Sequence, residues 1–108
     1  MSTYIDARRP NRHGDYQDCP ALAVRYLYDS ETIRGLSPRT VNGYYIDLRT
    51  FFRFLKLQRG LVPQGTPLEK IDVRDIELTT IESVTSTEIY EFLHYVTRER
   101  ANSPAARA

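Results

Sequence analysis

The sequence has no tryptophan, a single cysteine and no long apolar run. Because Cys19 cannot form an internal disulfide, a reducing cytoplasm is the expected compartment. No stretch is long and apolar enough to cross a membrane, and the first residues lack the apolar centre of a signal peptide, so we expect neither a membrane protein nor a secreted one. There is no excess of charge either: 15 Lys and Arg against 14 Asp and Glu give a formal net charge of +1. A nucleic-acid partner must therefore be argued from clustering of charge.

Residue types that carry metal, cofactor or catalytic chemistry are scattered. His13 and His94 lie far apart, and the cysteine has no partner motif, so no metal site and no cofactor is predicted. No nucleophile–base pair stands out. The acidic residues Asp72, Asp75 and Glu77 are close in sequence but fall in a predicted connector, where solvation is the simpler explanation. A stand-alone enzyme is therefore the weakest hypothesis.

The length and apolar content predict one globular domain. The chain has 108 residues, of which 41% are hydrophobic. This is enough for a modest core. Eight Tyr and four Phe predict that the core is built largely from aromatic side chains.

One stretch, residues 37–60, has both ends of a long helix marked. Ser37 can cap the first turn, Pro38 suits the first helical position, and Gly60 can adopt the left-handed conformation that ends helices. Apolar residues recur between them at steps of three and four, which places them on one stripe. These residues are Val41, Tyr44, Tyr45, Leu48, Phe51, Phe52 and Leu55.

The opposite face of this helix is the candidate binding surface. At about 100° per residue it contains Arg39, Gly43, Ile46, Thr50 and Arg53, with Asn42 and Arg49 at its flanks. Backbone N–H groups and a guanidinium at a helix start can bind phosphate, and a glycine permits close approach of another backbone. From the pattern alone, an ordinary solvated face is an equally good interpretation.

A first helix is predicted from Asp18 or Cys19 to about Arg34, ended by Gly35. Its predicted buried residues are Leu22, Ala23, Tyr26, Leu27 and Ile33. Residues 1–18 show no helical or strand period and predict a mobile arm. The basic run in this arm either touches DNA phosphates or belongs to a disordered tail.

Beyond residue 60 a Pro- and Gly-containing loop precedes a connector over residues 71–84, which is predicted to be extended, with or without a helical turn near residues 73–76, and to be pinned by Ile71, Ile76, Leu78 and Ile81. Thr85 and Glu88 form a capping box for a third helix that runs to about Arg100. The predicted buried residues of that helix are Ile89, Phe92, Leu93 and Val96. A fourth helix is predicted to begin at Ser103, and since the sequence stops after barely one turn of it, we expect a longer parent protein.

Three segments together resemble the core-binding domain of tyrosine recombinases, the phage integrase and Xer-type family. The segment LSPRTVNGYYIDLRTFFRFLK resembles the second helix of that domain. The family residues it carries are Ser37, Thr40, Tyr44, Asp47, Leu48, Arg49 and Phe51. VTSTEIYEFLHYV resembles the third helix, and NSPAARA resembles the start of the fourth, although Ala106 stands where a threonine is common. The resemblance covers about residues 21–108.

The resemblance implies an all-α fold, a small four-helix SAM-like bundle over residues 19–108, with the catalytic domain outside this chain. In the family the two domains clamp duplex DNA, and protomers meet in a synapse. Carried over to this sequence, the DNA-binding residues are Arg39, Thr40, Asn42, Gly43, Arg49, Ser103 and Arg107. Thr40 either donates to a phosphate or only serves the helix start.

The family chemistry is attack of a tyrosine on the scissile phosphate, assisted by two arginines, a histidine and a lysine. None of the eight tyrosines here matches the motif of that nucleophile, and Tyr44, Tyr45 and Tyr90 are interpreted as core aromatics. The sequence therefore predicts a non-catalytic DNA-binding domain. The alternative is a helical protein-interaction module that self-associates.

Overall fold

A computed structural model describes residues 13–102 of the chain. The element order is a short strand β1 (His13–Tyr16), then α1 (Ala21–Thr32), α2 (Pro38–Gln58), a 3-10 turn (Leu68–Lys70), α3 (Leu78–Glu82) and α4 (Ser86–Asn102). No second strand occurs between residues 13 and 102. The predicted all-α fold is confirmed. The fourth helix predicted from Ser103 lies outside the described residues.

Helix α2 begins and ends where the sequence predicts. The Ser37 hydroxyl accepts from the backbone N–H of Thr40 at 3.2 Å, and Pro38 is the first helical residue. Gly60 has φ +70°, so it adopts the left-handed conformation expected after a helix end. The apolar stripe is confirmed. Its buried members are Val41, Tyr45, Phe52 and Leu55, while Tyr44, Leu48 and Phe51 are partly buried against the same core.

Helix α1 packs against α2 through a narrower face than the sequence predicts. Ala23 and Leu27 are buried, as predicted. Leu22, Tyr26 and Ile33 are exposed, which corrects the predicted burial of all three. The buried face instead passes through Ser30, whose hydroxyl donates to the Tyr26 carbonyl at 2.8 Å and so satisfies its polar atom inside the helix.

The connection between α1 and α2 is short because Gly35, at φ +69°, reverses the chain. The backbone N–H of Leu36 then donates to the Ser30 carbonyl at 3.0 Å. This bond satisfies a carbonyl at the end of α1. It also brings Ser37 directly to the start of α2, so the two helices are neighbours.

The end of the predicted arm is ordered and packed. Tyr16 is 2% exposed and its ring lies 4.8 Å from that of Tyr45. Cys19 is also buried. The predicted arm of residues 1–18 is therefore too long at its C-terminal end, because an aromatic side chain there joins the core. Residues 1–12 lie outside the described residues.

The segment after α2 is less extended than predicted. Ile71, Val73 and Ile76 are buried, which confirms the anchoring roles of Ile71 and Ile76. Ile81 is partly buried against the core, whereas Leu78 is exposed. The predicted extended connector is wrong over α3, where residues 78–82 form a short helix. Among its β-branched residues, Ile81 packs against the core, and this contact outweighs its weak strand preference.

Helix α4 crosses α2 on an aromatic cluster. Phe92 lies 5.1 Å from Phe51 and 5.6 Å from Phe54, ring centre to ring centre, and Tyr95 lies 5.2 Å from Phe54. The capping box is confirmed: Glu88 accepts from the Thr85 backbone N–H at 2.9 Å. Phe92 and Val96 are half-buried. The predicted burial of Ile89 and Leu93 is wrong, and Tyr90, interpreted as a core aromatic, is also exposed.

Candidate nucleic-acid interface

The first turn of α2 presents polar groups to solvent. Arg39 and Thr40 are exposed, and Thr40 Oγ1 accepts from the Ser37 hydroxyl at 3.0 Å. A hydroxyl has one proton to donate in addition to the lone pairs it accepts with. Thr40 thus takes part in the helix start and still has a proton for an outside acceptor.

The outward face continues along α2 through Gly43 and Ile46. Both are exposed, and no atom lies within 4 Å of the position that a Cβ on Gly43 would occupy. Asn42 is half-buried at the flank. The predicted outward orientation of Arg39 and Gly43 is confirmed, and Thr40 beside them is exposed as well. The surface around Gly43 is open enough for another backbone to approach.

Further along α2, two arginines are turned into the protein. Arg49 Nη1 lies 2.7 Å from Asp18 Oδ2 and 2.6 Å from the Tyr45 hydroxyl, and the guanidinium lies over the Tyr45 ring. Arg53 is 4.0 Å from the same carboxylate and donates to the Ile71 carbonyl at 3.4 Å. Arg49, predicted at the flank of the outward face, is therefore paired inside the protein, and its DNA contact stays a prediction. The predicted outward position of Arg53 is wrong, because its guanidinium turns toward Asp18 and the Ile71 carbonyl.

The contacts among Asp18, Arg49 and Tyr45 keep each of these groups in its usual charge state near neutral pH. Burial acts to raise the pKa of Asp18, but the hydrogen bonds from Arg49 and Tyr45 outweigh it and hold that pKa below its ordinary value. Burial, then the hydrogen bond to Asp18, raise the pKa of Tyr45. Burial also raises the pKa of the Cys19 thiol to about 12, so this core cysteine keeps its proton at neutral pH.

An aromatic pair that the sequence does not predict joins exposed Tyr26 on α1 to partly buried Tyr44 on α2. The rings of Tyr26 and Tyr44 stack with their centres 6.5 Å apart, and Arg34 Nη1 donates to the Tyr26 hydroxyl at 3.3 Å. The sequence predicts a core position for Tyr26, because its spacing from Ala23 and Leu27 fits a helical stripe. The pairing joins two different helices, so no local signal could have revealed it.

The remaining predicted residues, Ser103 and Arg107, lie outside the described residues. Within the described part of the chain, no three His, Cys, Asp or Glu side chains form a metal-binding group. No helix there has the length and apolar character needed to cross a membrane.

One relative among curated proteins supports the resemblance. Over 89 residues, 82% of this chain, the sequence is 42% identical to Tyrosine recombinase XerC of Caldanaerobacter subterraneus subsp. tengcongensis. The chain spans about 25% of the length of that relative. The similarity to one part of a tyrosine recombinase, predicted from the sequence, is confirmed. No family model matches the chain, and no solved structure matches it.

Proposed function

We propose that this chain is the core-binding domain of a site-specific tyrosine recombinase and binds duplex DNA without cleaving it. A catalytic domain elsewhere in the same polypeptide performs the strand exchange, and other protomers join it in a synapse. The observation that carries the proposal is the exposed, unobstructed start of α2, with Arg39, Thr40 and Gly43 on one face. The 42% identity to part of a tyrosine recombinase supports it.

The physical basis of this binding is contact with phosphates. The first backbone N–H groups of a helix and its partial positive charge favour an anion. The Arg39 guanidinium adds a full charge and donors suited to phosphate oxygens. Gly43, one turn later, lets the sugar–phosphate backbone lie close to the helix. Contacts of this kind position DNA without reading its sequence.

The test is the salt dependence of binding to a mixed-sequence duplex, followed by fluorescence anisotropy. Arg39→Ala is expected to weaken binding and to reduce the slope of log K against log salt by about 0.9, the value expected when one phosphate is no longer neutralised. Arg25→Ala is the matched control, since Arg25 is 84% exposed on α1. Equal effects of the two substitutions would mean that the start of α2 is not the DNA-binding face.

A second candidate function is self-association through α4. Tyr90 and Leu93 are 68% and 56% exposed, and Ile89 beside them is 46% exposed. Contiguous apolar surface of this kind is typical of an interaction site. Near Ile89, a cavity of about 450 Å³ opens among Leu48, Phe51 and Val84. Sedimentation equilibrium distinguishes the functions: a dimer without DNA that Leu93→Glu dissociates favours association, whereas a monomer with salt-sensitive DNA binding favours the first proposal.

A further inference from the structure

One carboxylate faces two guanidinium groups at the middle of α2. Asp18 Oδ2 lies 2.7 Å from Arg49 and 4.0 Å from Arg53, and Asp18 Oδ1 accepts from the Tyr45 hydroxyl at 2.8 Å. The cluster of these four side chains, which we call the Asp18 cluster, therefore contains two positive charges and one negative charge. It retains one positive charge in excess.

The carboxylate is the outermost charged group of the Asp18 cluster. Its side chain is 38% exposed, against 17% for Arg49 and 15% for Arg53. Arg49 Nε is buried and has no acceptor among the described residues. The donors of Arg49 are thus only partly used, and Asp18 is the charged group of the cluster that solvent reaches most.

The Asp18 cluster lies further along α2, on the side that carries the proposed DNA-binding face. By helical spacing Arg53 is on the same side of α2 as Arg39 and Gly43, fourteen residues after Arg39, although its pairing leaves only 15% of its side chain exposed. At a rise of about 1.5 Å per residue, this separation is about 21 Å along the helix. Phosphate and carboxylate oxygens offer a guanidinium the same kind of charged acceptor.

We propose that Asp18 occupies, as an internal anion, the position beside Arg49 and Arg53 that a phosphate of duplex DNA would otherwise take. The carboxylate thereby lowers the affinity of this face for the DNA backbone. The inference rests on the proposed DNA-binding function and adds an intramolecular interaction that limits it. The buried side chains of Tyr16 and Cys19 hold the segment that carries Asp18 in place. The carboxylate therefore stays beside the guanidiniums of Arg49 and Arg53.

The experiment compares the salt dependence of duplex binding for the wild type and Asp18→Asn. Each additional phosphate that the protein neutralises adds about 0.9 to the slope, which is about a 3.5-fold larger loss of affinity between about 50 and about 200 mM salt. We expect Asp18→Asn to neutralise one or two more phosphates than the wild type. Asp29→Asn is the matched control, because it makes the same change of charge and also releases an arginine, Arg25, on α1. Asp18→Glu keeps the charge and should retain the wild-type slope.

Arg53→Gln in the otherwise wild-type chain provides a second measurement, which does not depend on the folding of Asp18→Asn, and the double variant provides a third. If Asp18 masks Arg53, Arg53→Gln leaves the slope of the otherwise wild-type chain unchanged, and it diminishes the steeper slope of Asp18→Asn when the two are combined. A lower slope for Arg53→Gln alone would overturn the inference, since Arg53 would already bind DNA. Equal slopes for Asp18→Asn and Asp29→Asn would also overturn it. Absence of salt-sensitive binding by the wild type would instead refute the proposed function itself.

Discussion

Arg59, immediately after α2, binds both carboxylate oxygens of Glu88 in the first turn of α4. Arg59 Nε lies 2.7 Å from Oε2, and Nη2 lies 2.9 Å from Oε1. The same carboxylate accepts from the backbone N–H of Thr85, so one side chain caps α4 and ties it to α2. No side chain of α4 described in the structure is fully buried. This two-point ion pair and the phenylalanine contacts therefore hold α4 in place.

Replacement of Arg59 by methionine should destabilise the domain. Arg59→Met keeps most of the apolar stem but removes the bonds to Glu88 and the 2.9 Å bond to the Ser83 hydroxyl. We expect a loss of about 1–2 kcal/mol in the free energy of unfolding, because hydrogen bonds to charged groups contribute more to stability than hydrogen bonds between neutral groups. Urea unfolding measures it. Arg25→Met, which removes a 3.8 Å pair on an exposed surface, should cost less than about 0.5 kcal/mol. Equal costs would show that the ion pair between Arg59 and Glu88 does not stabilise the domain.

Acidification should weaken the same contact. The hydrogen bonds from Arg59, followed by that from Thr85, lower the pKa of Glu88 from 4.5 to about 2. A folded-state pKa below the unfolded value means that the stabilisation is present above pH 4.5 and is lost as the pH falls toward 2. The difference in unfolding free energy between the wild type and Glu88→Gln should therefore be largest at neutral pH and shrink between these limits. A difference that does not change with pH would contradict the assignment.

Leucine at position 27 should be among the costliest core residues to truncate. Leu27 is 0% exposed and packs in the cluster that joins α1 to α2. Leu27→Ala should lower the free energy of unfolding by about 2–5 kcal/mol, because it removes apolar contacts and leaves a cavity. Ile33→Ala at the end of α1, where the side chain is 77% exposed, should change it by less than about 0.5 kcal/mol. Thermal unfolding followed by circular dichroism compares the two, and a cost at position 33 that matches the cost at 27 would contradict the observed packing.

Alanine at position 43 should separate stability from binding. Gly43 has helical geometry and an open surface above it, so Gly43→Ala should stabilise α2 by up to about 1 kcal/mol through its higher helix propensity. The same methyl group should weaken duplex binding, because it keeps the sugar–phosphate backbone away from the helix. Melting temperature and anisotropy are measured on the same sample. A variant that is more stable and binds DNA as well as the wild type would remove Gly43 from the proposed interface.

The ends of α2 and the cap of α4 were predictable because each depends on residues a few positions apart. Ser37 bonds to Thr40, and Thr85 bonds to Glu88, within single turns. Such contacts need only the right residue types at fixed spacings near the start of a helix. They can therefore be recognised in the sequence. The periodicity of α2 was equally clear, since a 21-residue helix repeats its apolar stripe several times.

The shorter elements were less predictable. In α1, Ala23 and Leu27 fit the predicted stripe, but its neighbours Leu22 and Tyr26 are exposed. A twelve-residue helix repeats its pattern too few times to define the edge of its buried face. The exposure of Ile89 and Leu93 on α4 has a similar origin, since apolar spacing shows which face prefers burial and not what covers it.

The sequence by itself determined the helical class, the start of α2 and the outward position of Arg39 and Gly43. Only the tertiary structure decided which arginines of that helix are exposed to solvent and which are paired with Asp18. Asp18 reaches Arg49 across 31 positions of sequence. Tyr16 and Cys19, on either side of Asp18 in the sequence, are buried in the core and so hold Asp18 close to Arg49. A contact between distant residues depends on how the core folds the chain back on itself, and no local spacing of charges encodes that.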